Sequence, residues 1–196
     1  MNLPNKLSVL RIILIPFMMF FYLASFIPFG IGKIVALVIF VVAALTDMLD
    51  GKIARKYNLV TNLGKFLDPI ADKILTAAAL FLLVGDGTIP APYGVIAITI
   101  IIAREFAVSA LRLIAASQGN VLAADIWGKA KTMVQMIAIP VCMLVPFLVA
   151  LGGVAGWFVL TIKIVGWVAL GAATILTIVS GANYLLKNKH CFKDSK

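Results

Sequence analysis

The chain alternates between long apolar runs and short polar breaks, and the runs are longer than a soluble core element needs. They fall at residues 9–28, 33–57, 64–84, 93–116, 126–150 and 156–186. Each reaches the length of about 20 residues at which a helix crosses the hydrocarbon core of a bilayer. The breaks carry turn residues, as in Pro28-Phe29-Gly30, Gly85-Asp86-Gly87-Thr88 and Ser117-Gln118-Gly119-Asn120, and Gly152-Gly153 turns the chain before the last run. The pattern predicts an all-α fold: an integral membrane bundle of six transmembrane helices, forming a single membrane-embedded domain over residues 1–196. The last run is long enough to tilt or protrude.

Composition agrees with that pattern and excludes the alternatives. Of the 196 residues 63% are apolar and 13% charged, where soluble domains carry about 45–50% and about 25%. A soluble fold of this size cannot hide so much apolar surface, and a disordered chain does not carry it. Residues 1–28 begin basic and then turn apolar, as a secretory leader does. Arg11 interrupts the run, however, and no small-x-small cleavage site follows, so the segment is expected to stay as the first helix. Cys142 and Cys191 have no metal-ligand spacing, and His190 sits in a basic tail.

Lys and Arg number 17 against 8 Asp and Glu, a formal charge of +9. In a soluble protein this would suggest a nucleic-acid partner. In a membrane bundle the simpler cause is topology, because basic residues collect on the cytoplasmic side of spans. One side receives Lys6, Arg11, Lys52, Arg55, Lys56, Lys65, Lys129, Lys131, Lys187, Lys189, Lys193 and Lys196; the other receives Lys33 and Lys163. Both termini are therefore expected in the cytoplasm, with the protein in the cell membrane and no nucleic acid bound.

Ionisable residues within a span are costly unless paired or wet, and most of those here crowd into residues 47–72. Asp47 and Asp50 are spaced i,i+3 and share a helix face at the end of the second run; Asp68 and Asp72 are spaced i,i+4 at the start of the third. A short turn joins the two runs, so the pairs are expected to face each other at the cytoplasmic edge. Four carboxylates cannot converge at low dielectric without counter-charge. Lys52, Lys56, Lys65 and Lys73 offer one solution, a salt-bridged helix hairpin. Divalent metal offers the other, and an all-oxygen donor set without His or Cys selects Mg²⁺ or Mn²⁺. Four aspartates could hold two ions, as phosphoryl-transfer sites do. Gly51 and Ala54 would let a ligand lie close to the helix backbone, and Arg55 could neutralise phosphate oxygens.

The full pattern is Asp-x-x-Asp-Gly-x-x-Ala-Arg-x8-Gly-x3-Asp-x3-Asp. It resembles the signature of the CDP-alcohol phosphatidyltransferase family, with every fixed position filled. The resemblance implies a six-span fold and a divalent-metal site. It implies metal ligation by Asp47, Asp50, Asp68 and Asp72, with Asp72 as general base. It implies a CDP site formed by Asp50, Gly51, Ala54, Arg55, Gly64 and Asp68. Members of the family are commonly dimeric, so a homodimer is expected.

Softer matches narrow the branch. Residues 3–11 (Leu-Pro-Asn-Lys-Leu-Ser-Val-Leu-Arg), 103–112 (Ala-Arg-Glu-Phe-Ala-Val-Ser-Ala-Leu-Arg) and 127–132 (Trp-Gly-Lys-Ala-Lys-Thr) resemble segments of the bacterial phosphatidylglycerophosphate synthases. Ser8 stands where that branch usually has Thr, which keeps the hydroxyl. The resemblance implies transfer of a phosphatidyl group from CDP-diacylglycerol to sn-glycerol 3-phosphate, a step of phosphatidylglycerol and so of phospholipid biosynthesis. The acceptor is a dianion and needs cations of its own. Arg11, Arg104, Arg112 and Lys129 are the candidates, from the cytoplasmic ends of three runs. Glu105 is next to Arg104 in sequence but about 100° away around a helix, so Arg104 is expected to find another partner. The roles of Lys131 and Glu105 stay open. Two other readings remain. One is the same chemistry with phosphatidylglycerol, serine or inositol phosphate as acceptor. The other is a small ion transporter with a carboxylate relay, which would place its acids near the midplane and show a repeated half; here they cluster at one edge and no internal repeat is found.

Overall fold

The computed structural model describes residues 3–56, 62–117 and 126–187; within them, the side chains of residues 3–4, 29, 48–56, 62–63, 65–66 and 116–117 lie outside the description. The described residues form six α-helices and no strand: α1 (Leu3–Leu23), α2 (Ile31–Lys56), α3 (Asn62–Gly85), α4 (Ala91–Ser117), α5 (Ile126–Leu151) and α6 (Gly156–Lys187). The helices coincide closely with the apolar runs, except at the first. α1 begins six residues earlier than the apolar run and ends at Leu23 rather than at 28. The chain turns at Ala24, whose backbone N–H donates to the Phe20 carbonyl at 2.9 Å, and then makes a 3-10 turn at Pro28–Gly30. Hydropathy places the stop at the proline, but the backbone leaves the helix before it. His190 and Cys191 lie outside the described residues.

Among the described residues four helices are long and apolar enough to cross a membrane: Asn5–Leu23 of α1, Ala91–Ala115 of α4, α5 and α6. The described residues are those of a helical, multi-pass membrane protein, and their surface fits that solvent. Leu113, Met133, Trp157 and Val168 are each at least 67% exposed, an apolar exterior that water would not tolerate on a monomer. The interior is packed differently. Ala36, Ala43, Ala71, Ala79, Ala138 and Ala173 are buried between helices. Where lipid is as apolar as leucine, close approach over small residues supplies the packing. Gly32 is an extreme case: a Cβ there would lie 2.4 Å from the Phe21 carbonyl oxygen, so α1 and α2 meet backbone to backbone.

Contacts between helices close into a ring in the order α1, α2, α5, α6, α4, α3 and back to α1, with α3 also touching α2 and α5 across it. Both ends of the bundle are tied by polar contacts. At the end away from the aspartate signature, Asp86 accepts from Tyr22 Oη at 2.5 Å and from the Thr88 backbone N–H at 2.9 Å. Lys33 Nζ stands 3.5 Å from Asp86 and 3.7 Å over the Tyr22 ring. Trp167 Nε1 donates to the Thr88 carbonyl at 2.9 Å, which brings α6 into the same knot. This network fixes one end of the ring and leaves the other to do chemistry.

Candidate active site

Both aspartate pairs lie on the helices that the spacing predicts, at the same end of the bundle. Asp47 and Asp50 are on the last turns of α2, and Asp68 and Asp72 near the start of α3. The side chains of Asp50, Gly51, Ala54 and Arg55 lie outside the described residues, as do those of Lys52, Lys56 and Lys65. Each of the described aspartates has a different environment. Asp47 is 2.6 Å from Arg11 Nη1, and Arg11 is fully buried. Asp68 accepts a hydrogen bond from the Ser8 hydroxyl, and Ser8 is likewise fully buried. Asp72 lies within electrostatic reach of Asp47, Glu105, Arg11 and Lys131, but among the described residues no donor hydrogen-bonds its carboxylate. Gly64 is buried on the first turns of α3.

Counter-charge thus reaches the cluster from α1. Lys73, beside Asp72 in sequence, donates instead to Ser109 on α4. The lysine hairpin finds no support among the described side chains. Arg11 and Ser8 are spaced i,i+3, so they share one face of α1 and reach the aspartates of two different helices.

The remaining candidates gather around a cavity of about 850 Å³ enclosed by α2, α3, α4 and α5. Its polar end holds Asp47, Asp72, Arg104, Glu105, Arg112 and Lys129. Three of the four expected acceptor cations therefore line the same cavity as Asp72. Arg11 is not among the lining residues; its guanidinium is committed to Asp47. The other end of the cavity is apolar, walled by Phe40, Val41 and Leu45 of α2 and by Met133, Met136 and Ile137 of α5. Leu45, Met133 and Ile137 are among the exposed apolar residues, so this trough opens sideways, toward the surface that lipid covers.

One expectation about Arg104 is overturned. Its Nη1 is 3.1 Å from Glu105 Oε1, although the two residues start 100° apart on α4. Side chains this long curl back toward each other where the opposite charge is the nearest partner in a poorly solvated place. Glu105 Oε1 also takes Lys131 Nζ at 2.7 Å, and Lys131 is buried at 3% exposure. Arg112 Nε donates to Tyr184 Oη at 3.1 Å on α6, and its guanidinium faces the same ring at 5.4 Å.

Sequence reading missed the residues that shape room for Arg104. A Cβ at Gly181 of α6 would lie 3.0 Å from Arg104 Cγ, and one at Gly128 of α5 would lie 3.1 Å from its Nη2. The arginine stem runs against the α6 backbone through a gap that only glycine leaves. Gly128 is visible within the segment 127–132; Gly181 carries no local signal, since its neighbours read as one more stretch of apolar helix. Lys131, whose role the sequence leaves open, is tied to the site through Glu105, and Tyr184 joins its support only through packing.

A hard divalent cation fits the donor chemistry of this end of the bundle. The described acidic groups are all carboxylates, and Asp72 offers oxygens that no described donor occupies. Among the described residues no three acidic side chains close into one coordination sphere; Asp50, on the face of Asp47, is the fourth member of the signature and lies outside the described side chains.

Comparison with known proteins meets this geometry. The family model described as CDP-alcohol phosphatidyltransferase matches residues 1–180. A Bacillus subtilis protein named CDP-diacylglycerol–glycerol-3-phosphate 3-phosphatidyltransferase is 41% identical, over 99% of this chain and 98% of its own length. Proteins of the same name from Haemophilus influenzae and Rickettsia bellii are 37% and 36% identical; the first covers 99% of this chain and 97% of its own length, the second 97% of each. With the aspartates of α2 and α3 at one end of a membrane bundle and a match that runs through nearly the whole length, the chain belongs to the CDP-alcohol phosphatidyltransferase family.

Proposed function

We propose that the protein transfers the phosphatidyl group of CDP-diacylglycerol to sn-glycerol 3-phosphate, releasing CMP and phosphatidylglycerophosphate. The observation that carries this reading is the two-ended cavity. A carboxylate free of described hydrogen-bond donors stands among Arg104, Arg112 and Lys129, and an apolar trough leads from it to the lipid face. A donor with a charged headgroup and acyl chains fits such a shape, and so does a small phosphorylated alcohol at its polar end. Relatives bearing the name of this reaction align over almost the whole chain.

In this scheme all six helices span the membrane. The polar end faces the cytoplasm, where the basic residues collect. Asp47, Asp50, Asp68 and Asp72 would hold Mg²⁺ or Mn²⁺, and Gly51, Ala54, Arg55 and Gly64 would line the CDP site. Bound metal would supply positive charge to the diphosphate and to the leaving CMP. The acyl chains lie along α2 and α5, and Arg104, Arg112 and Lys129 hold the acceptor phosphate. Asp72 takes the proton of the acceptor's 1-hydroxyl as that oxygen bonds to the phosphorus bearing diacylglycerol. The bond from this phosphorus to CMP breaks, and CMP leaves with the electron pair. Arg11 and Ser8 do not touch substrate; they hold Asp47 and Asp68 in place.

The reaction is tested by offering purified protein CDP-diacylglycerol and Mn²⁺ or Mg²⁺ with glycerol 3-phosphate, serine or inositol phosphate in separate assays. CMP release is expected with glycerol 3-phosphate; release only with one of the others would reassign the acceptor.

Sidedness has its own test. A cysteine replacing Ala91, exposed between α3 and α4, should react with an impermeant maleimide on intact cells. One replacing Lys187, at the end of α6, should react only after permeabilisation. The reverse pattern would turn the site to the wrong face of the membrane.

Substitution should separate the aspartates. Asp47→Asn, Asp50→Asn and Asp68→Asn are expected to weaken metal binding and abolish turnover. Asp72→Asn is expected to abolish turnover while retaining much of the binding of CDP-diacylglycerol. Full activity in Asp72→Asn would remove the base assignment.

Arg104→Ala addresses the acceptor pocket. Loss of one charged hydrogen bond costs about 1.5–3 kcal/mol, or roughly 10- to 150-fold. The KM for glycerol 3-phosphate should rise at least about tenfold, with a much smaller change for CDP-diacylglycerol. Equal damage to both substrates would mean a packing defect, and damage to the lipid alone would move Arg104 to the donor site.

A further inference from the structure

An anion pocket has no electrostatic use for a carboxylate, yet Glu105 lines this one beside Arg104, Arg112 and Lys129. A negative group there repels the acceptor phosphate, so its placement calls for a partner of another kind. Its two oxygens are used unequally. Oε1 takes Lys131 Nζ at 2.7 Å and Arg104 Nη1 at 3.1 Å. Lys131 is buried and is not among the residues lining the cavity, so it holds the carboxylate without itself reaching the cavity. Among the described residues no donor reaches Oε2. An ionised carboxylate accepts hydrogen bonds and donates none. Whatever meets Oε2 inside the cavity must therefore bring a proton of its own, and the group must be neutral enough to sit beside a negative charge. A hydroxyl satisfies both conditions.

The acceptor reading supplies such a group, and the role assigned to Glu105 rests on that reading. Glycerol 3-phosphate offers a phosphate to the cations, a 1-hydroxyl to Asp72, and a 2-hydroxyl between them. Glu105 lines the same cavity, within electrostatic reach of Asp72. We propose that Glu105 accepts a hydrogen bond from the 2-hydroxyl of the acceptor and so selects the phosphates of vicinal diols over those of simple alkanols. A site built to bond a hydroxyl rejects the analogue that lacks it far more strongly than an apolar pocket rejects a missing methylene. Glu105 is then an acceptor-binding residue, and Lys131 is the positioning residue that fixes its carboxylate.

The test compares glycerol 3-phosphate with 3-hydroxypropyl phosphate, which keeps the phosphate and a primary hydroxyl and lacks only the middle hydroxyl. In the wild-type enzyme kcat/KM should favour glycerol 3-phosphate at least about tenfold, equivalent to about 1.4 kcal/mol. Glu105→Ala removes both oxygens, and Glu105→Asp keeps the charge while shortening its reach. In either, the ratio should narrow to within about threefold. Because both acceptors are read on one preparation, losses from folding or metal loading cancel in the ratio. A residue that merely holds Arg104 would move both acceptors together and leave the ratio unchanged. A wild-type enzyme that does not discriminate overturns the proposal, and so does a Glu105 variant that keeps the full ratio. If the Glu105 variants do not fold, Lys131→Gln loosens the grip on Oε1 and must also lower the ratio; an unchanged ratio there overturns the proposal. Failure of the underlying reading looks different: glycerol 3-phosphate itself then supports no CMP release, while another acceptor does.

Discussion

A guanidinium that no solvent reaches has to be neutralised by the protein, and Arg11 makes this the organising constraint of the molecule. It is fully buried and lies 2.6 Å from Asp47. Leaving the buried guanidinium without its carboxylate would cost about 3–5 kcal/mol. The pair therefore fixes the register of α1 against α2. Ser8, one turn earlier, fixes α1 against α3 through Asp68. Two residues on one face of the first helix thus hold an aspartate from each half of the signature. The N-terminal segment is a structural member of the site, although it contributes no residue to the described cavity wall. The early start of α1 follows from the same requirement: a helix that began at residue 9 would leave Ser8 outside its first turn.

From that frame the charges divide into two groups. Arg11 and Lys131 are buried and spend their charge on carboxylates, Asp47 and Glu105. Arg104, Arg112 and Lys129 reach the cavity. The division leaves three cations lining the cavity while the buried ones serve carboxylates. Asp47 and Glu105 are each held by a cation that does not line the cavity, and Glu105 shares Arg104, which does. Glycine completes the arrangement, because Gly181 lets α6 approach the stem of Arg104 without displacing it.

How much of this was legible in the sequence depends on range. The helices were readable because lipid demands long apolar runs, and the aspartate pairs because i,i+3 and i,i+4 spacing fixes a face without tertiary knowledge. The grouping of Arg104, Arg112 and Lys129 was anticipated from the ends of the spans. What escaped was contact over distance. Ser8 and Asp68 are 60 residues apart, and nothing in either segment names the other. Arg11 was expected to meet a substrate phosphate, because an arginine at a span end can serve a ligand as well as a carboxylate, and only packing decides. For Arg104 and Glu105 the error was to treat a helix as a rigid wheel. Backbone angle separates Cβ atoms, but two flexible side chains can still close that gap. Gly181 was invisible because its use lies in a neighbour's volume.

The division of labour proposed for the three described aspartates follows from their surroundings. Identical carboxyl groups differ only in what already occupies their lone pairs. Asp47 has a guanidinium and Asp68 a hydroxyl, and both partners are buried on α1. Such partners hold each group still, which a ligand to a cation requires. Asp72 has neither restraint among the described residues. It stands on the cavity wall with Asp47 and Glu105 in electrostatic reach. In the proposed scheme a group in that position takes a proton from a hydroxyl brought beside it, whereas the other two would first have to give up a partner. The difference in role thus does not depend on the residue type. It comes from which face of α1 lies against which turn of α2 and α3.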